Sequence, residues 1–456
     1  MIREESMTGS KKVLVGAVLV LFAAGVWAQV PVVGGQGARL NDIAGTDTLV
    51  TVVLKGSGAT DANLKVQEIR DTILSVKSES GQLNHYLLSD IQEIRIQGSV
   101  MTVKRLDPLV DRGLTPDQQQ VANRAVARAN EVFNAAAGNQ PLRMWAAEVL
   151  AVGGSEEQQQ AALEYLDTLA SGNDLRTALD AAHHLVLAGA PPSTSELVSQ
   201  GLESGDRIVR ASAARLAGLT LDPSGKAQLH QMLRDRASDI AVPAIDALAW
   251  LGDREIIPTL LSLVTERSED KANAAADALI ALGGDDVITA LKEKLASSEG
   301  RARFRVVRVL HALGDSTGAK LMREEMLQVP SLEFESATIL ARQGDPVAMQ
   351  ILRDRLAQRY DPYPEVLAHR AEATAALIES GDRTNVSVFQ ELLRIGVPEI
   401  DLIVLRLIGQ LELRSLLPVT QPAIENTDPM VAVAASQAAV SLAHADYRMR
   451  LAKLHR

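Results

Sequence analysis

From about Leu142 onward, Ala, Leu, Ile and Val return at three- and four-residue spacing, with polar residues between them. That spacing gathers the apolar side chains on one face of a helix. The helical stretches are punctuated by a glycine series: Gly153, Gly189, Gly218, Gly252, Gly283, Gly314, Gly344, Gly381 and Gly409. The interval is roughly 32 residues, the length of a two-helix unit in a repeat array. Such a unit is too small to bury its own apolar face and must stack on its neighbours. Aspartate follows the glycine directly or one place on at Asp253, Asp285, Asp315, Asp345 and Asp382. The pattern predicts that Gly ends the first helix of a unit in a left-handed turn and that Asp caps the second. A mostly α solenoid of about ten helical pairs is expected over 142–456.

Ahead of the array the period changes. Thr115-Pro116-Asp117 is a helix start, with a hydroxyl at the cap and proline in the first turn, and predicts a connecting helix over 115–138. Residues 47–104 instead alternate in short β-branched runs: Thr48–Leu54, Leu64–Ile69, Thr72–Val76, His85–Leu88 and Ile94–Ile96. Turns at Gly56-Ser57-Gly58 and Ser80-Gly81 separate some of these runs, so five short strands and a small closed barrel are expected. The ending Leu88-Ser89-Asp90-Ile91-Gln92-Glu93-Ile94-Arg95-Ile96 resembles SH3-like and Sm-like barrels, where a one-turn bend delivers the last strand. An aromatic platform and a basic loop for RNA are both missing, which leaves a docking module or cap.

The first residues read as an export signal over 1–28. Lys11 and Lys12 precede the apolar run Val13–Val26, and Val26 and Ala28 supply the small residues before a cut after Ala28. The run is shorter than the roughly 20 residues of a membrane span. Glu4 and Glu5 are out of place in such a leader, and a start at Met7 would remove them. Residues 29–46, with Gly34, Gly35, Gly37 and Gly45, form a linker. The expected location is the periplasm or exterior of a bacterium. There is no cysteine, which excludes disulfides, thiol nucleophiles and a lipid-modified cysteine anchor. The net charge of -11 argues against a general nucleic-acid binder.

Within the array, Asp206-Arg207-Ile208-Val209-Arg210-Ala211-Ser212-Ala213-Ala214-Arg215-Leu216-Ala217-Gly218 resembles a HEAT repeat of the PBS-lyase HEAT-like type. Asp239-Ile240-Ala241-Val242-Pro243-Ala244 through Gly252-Asp253 is a second copy, and Ala274–Gly283, Arg303–Asp315 and Ala432–Ala443 are looser ones. The resemblance covers about 142–447 and implies a right-handed α-α superhelix that binds other proteins. Enzymes that attach bilins give these repeats their name, but an exported chain is a poor setting for that activity.

No catalytic or metal-binding group stands out. Gly314-Asp315-Ser316-Thr317-Gly318 matches a nucleophile elbow in letters, yet it follows a helix where that motif needs a strand. The eight histidines show no zinc-site spacing, and no cofactor is expected. The longest glycine interval holds Tyr360-Asp361-Pro362-Tyr363-Pro364, a stiffened loop whose two tyrosines could anchor a partner. Arg353 and Arg359 flank it and complete the candidate contact set. Other second-helix cations, such as Arg234, Arg236, Lys292, Lys294 and Arg355, alternate with Glu293, Glu324, Glu325 and Asp354 as a solvated face does. The expected function is that of an exported, non-enzymatic scaffold for a protein partner. An accessory subunit of an envelope enzyme and a peptide- or polysaccharide-binding module are the alternatives.

Overall fold

The computed structural model describes residues 49–54, 60–70, 73–78, 83–87, 91–96, 99–102, 114–411 and 414–444, together with Tyr447 and Leu451. The expected signal, cleavage site and linker lie outside the described residues.

Six strands make the N-terminal sheet: β1 (Leu49–Leu54), β2 (Thr60–Arg70), β3 (Ile73–Lys77), β4 (Leu83–Leu87), β5 (Ile91–Ile96) and β6 (Ser99–Thr102). All neighbours are antiparallel, in the order β4-β3-β2-β1-β5-β6. Val50, Val52, Leu64, Val66, Leu74, Val76 and Ile94 are buried, as period-two patterning requires. A closed barrel is not supported, because among the described residues the edge strands β4 and β6 do not pair. Alternation decides which face is buried and says nothing about whether the ladder's ends meet.

Among the described residues twenty helices follow. They are α1 (Pro116–Ala135), α2 (Gln140–Gly153), α3 (Glu156–Ala170), α4 (Leu175–Ala188), α5 (Ser195–Leu202), α6 (Arg207–Thr220) and α7 (Lys226–Met232). Next come α8 (Ser238–Trp250), α9 (Ile257–Leu263), α10 (Glu269–Leu282), α11 (Asp285–Leu295), α12 (Gly300–Ala312), α13 (Ser316–Gln328) and α14 (Glu333–Arg342). The last six are α15 (Pro346–Ala357), α16 (Pro364–Glu379), α17 (Ser387–Ile395), α18 (Pro398–Gln410), α19 (Leu417–Ile424) and α20 (Pro429–Ala443). From α2 the helices pack as sequential pairs, an α solenoid in which even-numbered first helices stack on one another.

The array closes on itself. The last first helix, α20, packs directly against the earliest one, α2. Helix α1 lies against α20, α19 and α2, in the place a second helix for α20 would take. It is therefore more than a connector: it completes the tenth pair from the opposite end of the chain. The seam is held by polar contacts as well. Arg124 of α1 reaches Glu425 at 2.5 Å, Arg128 donates to the Asn426 carbonyl at 3.1 Å, and Gln118 donates to the Arg414 carbonyl at 3.0 Å. Thr115 starts α1 with a capping box, exchanging hydrogen bonds with Gln118. First helices touch their neighbours nearly all the way round, whereas second helices touch each other at few places. On a closed stack the more crowded layer is the inner one, so the first helices face inward.

Glycine has two roles here. Gly189, Gly252, Gly283, Gly314, Gly344 and Gly381 take positive φ and end first helices, as expected. Gly153, Gly218 and Gly409 do not: they lie inside or at the last turn of their helices and allow close approach. A Cβ on Gly218 would sit 2.6 Å from Trp250 and 2.9 Å from the Ala247 backbone, and one on Gly153 would meet Val126 and Val440 across the seam. Leu221 makes the left-handed turn after α6 instead, at φ 54°.

Four of the five expected aspartates accept from an N–H of the following turn, and each of these also takes a cation from the preceding unit. Asp285 does neither, because Gly284 is the N-cap of α11 and Arg254 pairs with Asp286 instead. Asp253 accepts from the Glu255 N–H and faces Lys226 at 3.1 Å and His230 at 2.7 Å. Asp315 pairs with Lys292 at 2.6 Å, Asp345 with Arg323 at 2.7 Å and Asp382 with Arg353 at 2.7 Å. The Gly-Asp signature thus ends one helix, starts the next and ties adjacent units together.

Gly218→Ala is a direct test of close approach. Helix propensity alone favours the substitution by about 1 kcal/mol. The contact with α8 reverses the sign, and we expect a net loss of about 1–3 kcal/mol in urea denaturation. An unchanged or raised midpoint would contradict the packing described.

Candidate interaction surface

The inward side of each first helix carries a stripe that second helices do not cover. At its centre the ten helices place Glu148, Asp180, Ser212, Asp246, Asp277, Arg308, Ile339, Glu372, Arg406 and Gln437, mostly 31–34 residues apart. Polar groups at these depths need partners, and the neighbouring first helix supplies many of them. Arg308 pairs with Asp277 at 2.8 Å, and Ser212 reaches Asp180 at 3.5 Å. Glu148, which is 1% exposed, sits at the seam. It faces His184 at 2.6 Å, accepts from Gln437 at 2.9 Å and accepts from the Tyr447 hydroxyl. One carboxylate therefore ties α2 to α4, to α20 and to the C-terminal segment.

Burial governs the charges of this track. It lifts the Asp180, Asp277 and Glu372 carboxyls above the ordinary range. Asp246 is pushed up to about 7, first by burial and then by the charge of Asp277, with Arg215 pulling the other way. Burial also lowers Arg215. For Glu148 burial acts upward too, but His184, Tyr447 and Gln437 outweigh it and hold the carboxyl low. The neighbouring His183 is pushed down to about 3 by burial and then by His184, so it stays neutral.

The N-terminal ends of the inner helices add an exposed ladder. Arg207 pairs with Asp239 at 2.5 Å, and Ser238 donates to Asp270 at 3.1 Å. Arg301 lies between Glu269 and Glu335 and spans three units. Exposed pairs of this kind contribute about 0–1 kcal/mol each and set register more than stability.

The contact set expected from sequence divides into two groups. Arg353 is engaged with Asp382, and Tyr360 is held on both sides. Its hydroxyl donates to Glu391 at 2.5 Å, and the Arg370 guanidinium lies 4.0 Å over its ring. Tyr363 is 67% exposed, and Arg359, four residues earlier in the same loop, is exposed too. Arg355 is 2.7 Å from Glu333 and stacks over Phe334. Several of the second-helix cations thus serve as ties between helices. The inward track was not among the residues singled out from sequence. Its signal was present in the 31-residue steps Asp246, Asp277, Arg308, but the glycine period masked it.

His230, Asp253 and Glu255 bring three potential metal-ligand atoms within 4.8 Å of one another. The Asp253 carboxylate of this trio is already shared by Lys226 and a helix N-terminus.

A family model for HEAT repeats matches residues 194–280 and again 227–311. Those matches cover α5 to α12, and the same paired packing continues on both sides of them. The fold is thus a HEAT-like α solenoid, a class of architecture that mediates protein interactions. No curated protein matches the chain.

Asp246 makes stability depend on pH. The folded chain keeps this proton to about pH 7, whereas an unfolded aspartate loses it near pH 4. Its contribution is therefore complete below about pH 4 and is lost as pH rises toward 7. Asp246→Asn should remove that decline, gaining on the order of 1–2 kcal/mol over wild type at pH 8 and little at pH 4. Parallel melting-temperature profiles for the two proteins would show the assignment to be wrong.

Proposed function

We propose that the protein is an exported, non-enzymatic scaffold that binds a protein partner. The observation that carries the reading is the HEAT-like array itself: twenty helices whose polar inner residues are largely spent on joining units. Aspartates and arginines that would draw notice as chemistry in isolation serve as caps and inter-unit ties. Among the described residues no helix is long and apolar enough to cross a membrane. Export rests on Lys11, Lys12, the apolar run Val13–Val26 and the small residues before Gln29.

The loop before α16 is the proposed contact. An exposed tyrosine on a proline-stiffened loop loses little entropy on binding and offers a large amphipathic surface. Tyr363 has that position and Arg359 is exposed in the same loop, while Tyr360 and Arg353 hold the loop's base. Cross-linking in native cells followed by mass spectrometry tests the binding role. A specific protein should copurify, and Tyr363→Ala combined with Arg359→Glu should reduce its recovery about tenfold or more. Undiminished recovery with the double variant would remove the loop from the interface, and recovery of this chain alone would remove the scaffold reading. N-terminal sequencing of the same material should begin at Gln29, and a chain beginning at Met1 or Met7 would refute cleavage.

A further inference from the structure

We infer that the ring is a hinged clasp, with its hinge at α12–α14 and its latch at Glu148. Adjacent first helices pack directly at nine of the ten joints. At the remaining one, α12 and α14 barely touch and α13 lies between them. The Arg301–Glu335 ion pair spans that joint at the exposed end of the helices. One of the divisions of the hydrophobic core falls at the same place; another falls within α4, where Ala181 and Leu185 join α2, α3 and α20 while Leu179 and Ala182 join α5–α12. Val306, Val309 and Leu310 of α12 belong to a core shared with α4–α11, whereas Phe304 and Val307 join a core shared with α13–α20. On the far side of the joint, the Ser336 hydroxyl of α14 is fully buried and makes no hydrogen bond. Direct packing is thus thinnest between the sixth and seventh first helices.

The second requirement of a clasp is a joint without a covalent connector. The contact of α20 with α1 and α2 is that joint, since α1 and α2 are consecutive at one end of the array and α20 stands at the other. Six units lie on one side between seam and hinge and four on the other. Glu148 concentrates the seam's buried polar contacts in one side chain, through Gln437 of α20 and Tyr447 beyond it. Rotation at the hinge separates these groups together and exposes the inward face of the first helices. Rotation at any other joint would break a direct first-helix contact as well, so the weak joint and the seam move as a pair.

Hydrogen exchange on the intact chain tests this coupling. Glu148→Gln removes the buried charge from the latch, and Gln437→Ala removes one contact should the first variant fold poorly. Exchange should speed up about tenfold in α1, α20 and α12–α14 together, and remain unchanged in α6–α10. The chain has no cysteine, so Arg301→Cys with Glu335→Cys can be stapled selectively by a short bis-maleimide. Stapling the hinge should return α1 and α20 to wild-type protection in the Glu148→Gln background. Uniform acceleration, acceleration at the seam that ignores the staple, or no change in either latch variant would each overturn the clasp.

Discussion

At every joint but α12–α14 the inner helices pack directly on one another as well as on outer helices, and their own side chains limit how closely they can do so. Alanine at Ala146, Ala147, Ala181, Ala182, Ala213, Ala214, Ala244, Ala247, Ala275 and Ala276 meets that constraint, all of it buried. Gly218 meets it where even a methyl group would collide, and Gly153 where one would fit only if Val126 and Val440 gave way slightly. Larger side chains are displaced to the layer between inner and outer helices, where Leu216, Leu248, Leu279 and Leu310 lie fully buried. The inner layer can then curve tightly enough for α20 to reach α2. Closure gives both ends of the array a covered face, which an open solenoid must obtain from special capping repeats.

Charge follows from the same crowding. Side chains on the inward stripe are sunk between helices, so a polar residue there needs its neighbour. Pairing of Arg308 with Asp277, and of Glu148 with Gln437 and Tyr447, meets that need across the gap between units. Asp246 lies beside Asp277, a like charge, and its carboxyl rises accordingly. Outside this track the Gly-Asp turns form a second circuit, in which a cation on one outer helix holds the cap of the next. The two circuits join units through different residues, one at the inner face and one at the turns between helices.

The repeat was legible because it is written locally. Gly314-Asp315 ends one helix and caps the next whatever surrounds it, so period and pairing can be read from residues alone. Closure was not legible, because it depends on a small rotation added over ten units and no single residue records that angle. Helix α1 illustrates the difference: Thr115 and Pro116 announce its start, but nothing local says that its partners lie 300 residues away. Tyr360 and Arg353 looked free for the same reason, since Glu391 and Asp382 become their neighbours only through stacking. In the sheet, alternation identified the buried faces of β1 to β3, while barrel closure was an added assumption that the β4 and β6 edges do not support.

The most direct measurement is a cross-link between the two ends of the array. Arg124→Cys on α1 and Glu425→Cys after α19 would be the only thiols in the protein, placed where the native side chains meet at 2.5 Å. A closed ring predicts a bis-maleimide bridge within one chain, formed at the same yield as the protein is diluted. Failure to bridge, or bridging only between copies at high concentration, would mean that the helices form an open superhelix and that the seam does not exist.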